Sequence, residues 1–296
     1  MSSAAPFNRA ATRRNFLRLT AMAAAAGCIL RLPGSALAEA PHLRYGVQLF
    51  MVRAQAPADL AGVLRTIHQI GFTEIELYPI VYNHTAAELR QMVQDSGLRC
   101  PAAHFNYDGL ESRVDFARQL GVKFMVCPMV PFSQWNSLDG FREAAKLFNR
   151  VGAQCRDAGM ELCFHNHCYE FKPMEGSTGF ATLMRETDPA LLKLELDIYW
   201  LVQGGQDPAA MMRAHAQRVR LLHLKDRTPG APTGYAVDSS AIHITEMGKG
   251  SIAWPQLFAQ AKALGVRYAF LDEDVTPGPV FDSMRQSFAY LQSLHA

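Results

Sequence analysis

The chain has 296 residues, 49% of them hydrophobic and 19% charged, with a formal net charge of +2. Arg9, Arg13, Arg14, Arg18 and Arg31 lie within residues 1–38 without a single acid, so removing those five charges leaves −3 on the remainder. A mildly acidic body of roughly 250 residues can bury one large core, and nothing in its global charge favours nucleic acid or an anionic membrane as partner.

Residues 1–38 have the features of a cleaved export signal. Arg13-Arg14-Asn15-Phe16-Leu17 precedes the apolar run Ala21–Leu30 and the small-residue site Ala36-Leu37-Ala38, and the run is far shorter than the roughly 20 residues needed to span a bilayer. The paired arginines resemble a twin-arginine signal, which predicts a periplasmic or otherwise exported protein. Cys28 after Ala-Ala-Gly weakly suggests lipid anchoring, but Ala25 stands where a leucine is usual. The other five cysteines, Cys100, Cys127, Cys155, Cys163 and Cys168, are odd in number and mostly sit in apolar runs. They are not a disulfide framework.

From Tyr45 onward one unit recurs: an apolar run, polar residues, an amphipathic helix, then Gly and a large apolar residue. The pairs are Gly71-Phe72, Gly97-Leu98, Gly121-Val122, Gly159-Met160 and Gly265-Val266. Glycine past a helix end takes the left-handed conformation without a Cβ clash, and a strand follows at once. The predicted strands are Tyr45–Phe50, Glu74–Leu77, Leu98–Ala103, Lys123–Cys127, Met160–His165, Leu192–Asp197, Val219–Leu224 and Arg267–Asp272. Helices are expected over Thr85–Ser96, opened by a Thr-x-x-Glu capping box, and over Asp139–Ala158, Thr182–Thr187, Pro208–Ala216, Trp254–Leu264 and Pro279–Leu294. Gly176-Ser177-Thr178-Gly179 is read as a turn and helix cap in preference to an anion site. Arg227–Gly250 is a long Pro/Gly-rich insertion, expected to be an active-site loop. Eight alternating units over residues 39–296 predict a single-domain α/β protein, a (β/α)8 TIM barrel. A doubly wound sheet is the runner-up, weakened because no dinucleotide fingerprint follows the first strand.

In such a barrel the active site gathers at the C-terminal ends of the strands. Those ends carry Gln48, Glu76, His104, His165, Asp197, His223 and Asp272, with Glu273 and Asp274 adjacent. Alternation puts Val219, Leu221 and His223 on one face, and likewise Leu98, Cys100, Ala102 and His104. The columns Glu161–Cys163–His165 and Lys193–Glu195–Asp197 bring charge inside, which requires pairing; Lys193 with Glu195 or Glu161 is the expected contact. Imidazole and carboxylate suit a divalent metal such as Mn²⁺ or Zn²⁺, and His165, Asp197, His223 and Asp272 would supply it from four adjacent strands. Lys225 and Asp226, following His223, could position hydroxyls or assist proton transfer.

The motifs Gly46-Val47-Gln48-Leu49-Phe50 with Val52-Arg53, Ile75-Glu76-Leu77, His165-Asn166-His167 with Glu170-Phe171, Leu196-Asp197-Ile198-Tyr199-Trp200, Leu222-His223-Leu224-Lys225-Asp226 and Met247-Gly248-Lys249-Gly250 resemble, in this order, the xylose isomerase-like TIM barrels of the sugar phosphate isomerase/epimerase group. The resemblance implies a divalent metal held from strands five to eight. Asp197 and His223 match the family's Asp and His ligands. His165 stands where many members place a glutamate, and Asp272 at the second glutamate position, with Glu273 as a rival ligand. Because typical epimerases move the proton with those two glutamates, the base here would be His165 if it is not metal-bound, or else His167 or Glu170. Gln48, Glu76, His104 and Trp200 are candidates for substrate contact.

The expectation is a metal-dependent isomerase or epimerase of a sugar or keto-sugar, working through an enediolate. The alternatives are a keto-sugar or inosose-type dehydratase and a catalytically inactive periplasmic sugar-binding protein. An amidohydrolase is set aside because its His-x-His pair ends strand one, and a DNA-repair endonuclease because of export and charge. The partners expected are a small carbohydrate, no nucleic acid and no stable membrane insertion after signal cleavage, with oligomerisation left open. Export and the lack of a clear phosphate cradle weigh against a phosphorylated substrate.

Overall fold

Strands β1 (Arg44–Gln48), β2 (Glu74–Leu77), β3 (Arg99–His104), β4 (Phe124–Cys127), β5 (Glu161–His165), β6 (Leu192–Asp197), β7 (Val219–Leu224) and β8 (Tyr268–Leu271) are all parallel and close into a barrel in chain order. This is the predicted (β/α)8 fold, seen in a computed structural model that describes residues 43–238 and 242–294. The proposed signal at residues 1–38, with Cys28, lies outside the described residues. Among the described residues no helix is long and apolar enough to cross a membrane.

The barrel interior is layered. Its middle is apolar: Ala102, Phe124, Val126, Cys163, Leu221 and Phe270 pack on one another. Gly46 of β1 completes this layer by being absent in side chain. A Cβ there would come within 2.6 Å of the Phe270 ring and 2.9 Å of Glu74 Cβ, so only glycine admits the aromatic ring. The larger core lies outside the strands, where Ile75, Leu162, Leu194 and Leu222 meet the helices. The charges at the N-terminal mouth pair differently from the sequence expectation. Glu161 bonds Arg220 Nε at 3.0 Å, Lys193 Nζ donates to the Pro189 carbonyl at 2.6 Å, and Glu195 joins the histidines at the other end of the barrel. A shift in the β6–β7 register between Leu194 and Glu195 accompanies this arrangement.

The helices are α1 (Leu60–Ile70), α2 (Ala86–Asp95), α3 (Val114–Leu120), α4 (Leu138–Asp157), α5 (Gly179–Glu186), α6 (Ile198–Gln203), α7 (Pro208–Ala214), α8 (Trp254–Ala263) and α9 (Val280–Ser293). The Thr85–Glu88 capping box opens α2 as its sequence dictates, and Thr178 caps α5 after the turn at Glu175-Gly176. Several strand bounds differ from expectation by one or two residues, among them the ends at the mouth, where β8 stops at Leu271 rather than Asp272. β1 stops at Gln48 because its side chain accepts from Phe50 N–H at 3.1 Å and starts a 3-10 turn, Leu49–Val52. β3 runs on to His104.

The insertion after β7 is tied down by one carboxylate. Asp226 accepts from the N–H groups of Arg227, Gly248, Gly250 and Ile252 at 2.8–3.2 Å. Val237, Ile242, Ile244 and Ile252 pack on Cys168, Tyr199 and Trp200, so the insertion lies against the β5 and β6 side of the mouth.

Candidate metal centre

Asp197 shows how the fold aims a side chain into the mouth. It ends β6 and also caps α6, with Oδ1 accepting from Trp200 N–H at 2.8 Å. Its backbone is fixed by Asn166, which accepts from Asp197 N–H at 3.1 Å and donates to its carbonyl at 3.3 Å. One carboxylate oxygen is thereby used by the cap, and Oδ2 is left facing the mouth. The middle residue of His165-Asn166-His167 is thus a tie between strands, flanked by two imidazoles.

Two groups of ligand atoms converge there, each with its atoms within 4.8 Å of one another: His104, His165, Glu195 and His223, and then Asp197, His223 and Asp272. Glu195 is the hub of the first. Its Oε2 lies 2.9 Å from His104 Nε2, 3.1 Å from His223 Nε2 and 3.3 Å from His165 Nδ1. His223 Nε2 also stands 2.7 Å from Glu76 Oε2, which accepts from Gln48 Nε2 at 2.9 Å. The second group borders the loops. His223 Nδ1 lies 3.1 Å from Asp272 Oδ2, and Lys225 Nζ stands 2.6 Å from Asp272 Oδ2, 2.9 Å from Asp274 Oδ2 and 3.0 Å from Asp197 Oδ2. His165 Nε2 is 3.9 Å from Asp197 Oδ2.

The electrostatics follow from crowding carboxylates out of water. Burial opposes charge on His104 and His223, yet Glu76 and Glu195 win: His104 is lifted to about 9 and His223 well above its ordinary value. His165, with burial and His223 against it, falls to about 3, and His167 is driven well below its usual value by burial and His165. Burial lifts Asp197 to about 7 against the pull of Lys225, whereas Lys225 and His223 overcome burial to hold Asp272 ionised. Lys225 resists burial through Asp197 and Asp272 and keeps its proton.

These residues fit a divalent cation. Glu76, Glu195, Asp197 and Asp272 are buried carboxylates, and among the described residues Lys225 is the one buried cation beside them whose charge does not depend on an imidazole proton. Buried ligand atoms without a hydrogen bond include Asp197 Oδ2, Asp272 Oδ1, His165 Nδ1, Glu76 Oε1 and Glu195 Oε1. Lys225 is near Asp197 Oδ2 but not aligned to donate to it. Leaving such atoms unpaired costs on the order of 1–3 kcal/mol each, and a cation removes that cost.

His165, Asp197, His223 and Asp272 all reach the mouth, but they straddle the two groups. Glu273 does not join them: one residue on from Asp272, it turns toward α9 and accepts from Ser287 Oγ. Gln48 is engaged at both ends of its amide, by Phe50 N–H and by Glu76. Glu76 and His104 belong to the deeper group. Trp200 lies beside His167, ring centres 5.3 Å apart, with Lys225 Nζ 5.9 Å from its ring and its own Nε1 unbonded. Glu170 turns back on its own loop, accepting His167 N–H at 2.8 Å. Glu195 is the member that sequence reasoning missed. In the sequence it stands only as the middle of the Lys193–Glu195–Asp197 column, a charge in need of a partner.

The model of the xylose isomerase-like TIM barrel family matches residues 64–294. An inosose dehydratase of Clostridium tetani is 28% identical over 153 residues, 50% of this chain and 43% of that protein, so the match spans less than half of the relative. A sugar phosphate isomerase/epimerase of Parabacteroides distasonis superposes with a TM-score of 0.70 at 24% identity, covering 88% of this chain and 96% of that one. The IolI protein, solved with a zinc atom, superposes at 0.65 with 12% identity over 85% and 98% of the two chains. At these identities the structural likeness speaks for the fold.

Proposed function

This chain belongs to the xylose isomerase-like TIM barrel family, and on that premise we propose that it is a divalent-metal-dependent isomerase or epimerase of a sugar or keto-sugar. The observation that carries the proposal is the convergence of Asp197, His223 and Asp272 at the strand ends, with Asp197 Oδ2 and Asp272 Oδ1 buried and unbonded. His165, Asp197, His223 and Asp272 would hold Mn²⁺, Zn²⁺ or a similar ion, with Glu195 orienting the imidazoles from below. When bound, such an ion polarises a carbonyl and eases loss of the proton on the adjacent carbon.

The chain's own groups supply the rest. Glu170 fixes the turn that aims the His167 ring at the space between His165 and Trp200. His167 Nδ1, buried and unbonded, accepts the α-proton. The Lys225 ammonium, oriented by Asp272 and Asp274 and lying beside Asp197, donates to a substrate oxygen and balances the charge that develops there. The inserted loop and Trp200 keep water from that side of the mouth. Transfer of that proton by His167 to the neighbouring carbon gives an isomer, whereas an epimer requires a proton delivered to the opposite face by a second acid. The sequence signal at residues 1–38 supports an exported site of action.

A second reading, a dehydratase, draws on the inosose dehydratase relatives. It shares the α-proton removal, after which the β-hydroxyl leaves as water, taking a proton from Lys225. Incubating the metal-loaded protein with a panel of keto-sugars in D₂O tests both. Solvent deuterium at an α-carbon of a substrate of unchanged formula is the expected result, and loss of water by mass moves the assignment to the dehydratase. No deuterium and no water loss across the panel overturns both in favour of a sugar-binding protein.

A further inference from the structure

The loops after β3 and β4 border a groove of about 340 Å³, lined among others by Asn106, Asp108, Val130, Phe132 and Trp135. A ladder of rings connects it to the mouth. His167 and Tyr169 stack at 6.0 Å, Tyr169 and Trp135 at 3.7 Å and 11° from parallel, and Trp135 meets Phe132 at 4.6 Å. Both middle rings are fixed to one residue: Val130 N–H donates to the Tyr169 hydroxyl at 3.1 Å, and Trp135 Nε1 donates to the Val130 carbonyl at 2.6 Å. The last ring, Phe132, is 73% exposed, the most exposed large hydrophobic side chain among the described residues. One exposed phenylalanine needs no explanation; one that ends a rigid aromatic ladder leading out of a site does. Asn106 and Asp108 are exposed in the same groove, and neither side chain hydrogen-bonds to a described residue.

A sugar ring has an apolar C–H face and a rim of hydroxyls. An exposed aromatic ring packed on the anchored Trp135, beside uncommitted amide and carboxylate groups, matches both. We propose that this groove is a subsite for a second sugar ring, so that the substrate is a disaccharide or other glycoside. Its reacting ring lies over the metal ligands, and the attached ring rests on Phe132 and Trp135 with its hydroxyls toward Asn106 and Asp108. The inference rests on reading the mouth as a carbohydrate site.

The test is calorimetric titration of the metal-loaded protein with cellobiose, maltose and glucose. At least one disaccharide is expected to bind about tenfold more tightly than glucose, and Phe132→Ala to reduce that preference to about twofold or less. Phe132 is exposed, so its truncation leaves the core intact, and metal content measured alongside reports the fold. Asn106→Ala is expected to weaken disaccharide binding about threefold. Equal affinity for glucose and both disaccharides, or an unchanged preference in Phe132→Ala, overturns the subsite. A disaccharide preference that persists in a protein exchanging no α-proton supports the subsite and refutes the reaction proposed above. Exchange without that preference does the reverse.

Discussion

Glu170 is a carboxyl group whose surroundings set its charge. It is fully buried, one oxygen accepts His167 N–H, the other has no hydrogen bond, and burial is the main cause that lifts it to about 8. The folded chain therefore keeps this proton up to about that pH, while the unfolded chain releases it near the ordinary value of 4.5. Across that window the folded state binds more protons, so stability from this group falls as pH rises. Glu170→Gln keeps an acceptor for His167 N–H and cannot ionise. Its Tm is expected to fall less than the wild type's between about pH 5 and about pH 8.5, a relative gain on the order of 1–3 kcal/mol at the upper end. Parallel melting curves for the two proteins would refute the buried, protonated carboxyl. At this scale the sequence was legible where alternation was clean. Asp272 faces the mouth and Glu273, one residue on, faces Ser287 of α9, which separates the two rival ligands. Glu195 was not legible as a site residue, because nothing local says that an inward glutamate will meet three imidazoles from three other strands.

Among the elements, the insertion after β7 depends most on a single residue. Four backbone N–H groups converge on Asp226, and a Cβ on Gly250 would come within 2.1 Å of its carboxylate, so loop and carboxylate fit only in this form. Asp226→Ala leaves those donors to water or unpaired, at a cost of roughly 2–4 kcal/mol. Faster amide exchange over residues 244–252 is the expected readout, with the barrel strands still protected; unchanged exchange would mean that packing on Tyr199 and Trp200 alone holds the loop. The sequence marks this insertion by its Pro and Gly content, and the Thr85 and Thr178 caps by their residue types. It hides α6, since Ile198–Gln203 is a short apolar run without helical spacing that continues directly from a strand, and the cap made by Asp197 marks the change to helix.

For the molecule as a whole, the recurring Gly-plus-apolar boundary carries the barrel, because each unit must end a helix and begin a buried strand at once. The order of the strands around the barrel follows from that repetition, and with it the meeting of residues 76, 104, 165, 195, 197, 223 and 272 at one end. What repetition does not carry is the pairing of charges at the two mouths, which depends on strand register and on residues far apart in sequence. Metal analysis of the purified protein, with wild type beside Asp197→Ala and His223→Ala, decides whether this end of the barrel holds a divalent ion. About one Mn²⁺, Zn²⁺ or similar ion per wild-type chain, reduced at least tenfold in either variant, is the result predicted. A folded wild-type protein that retains no divalent ion, and takes none up when supplied, would contradict it.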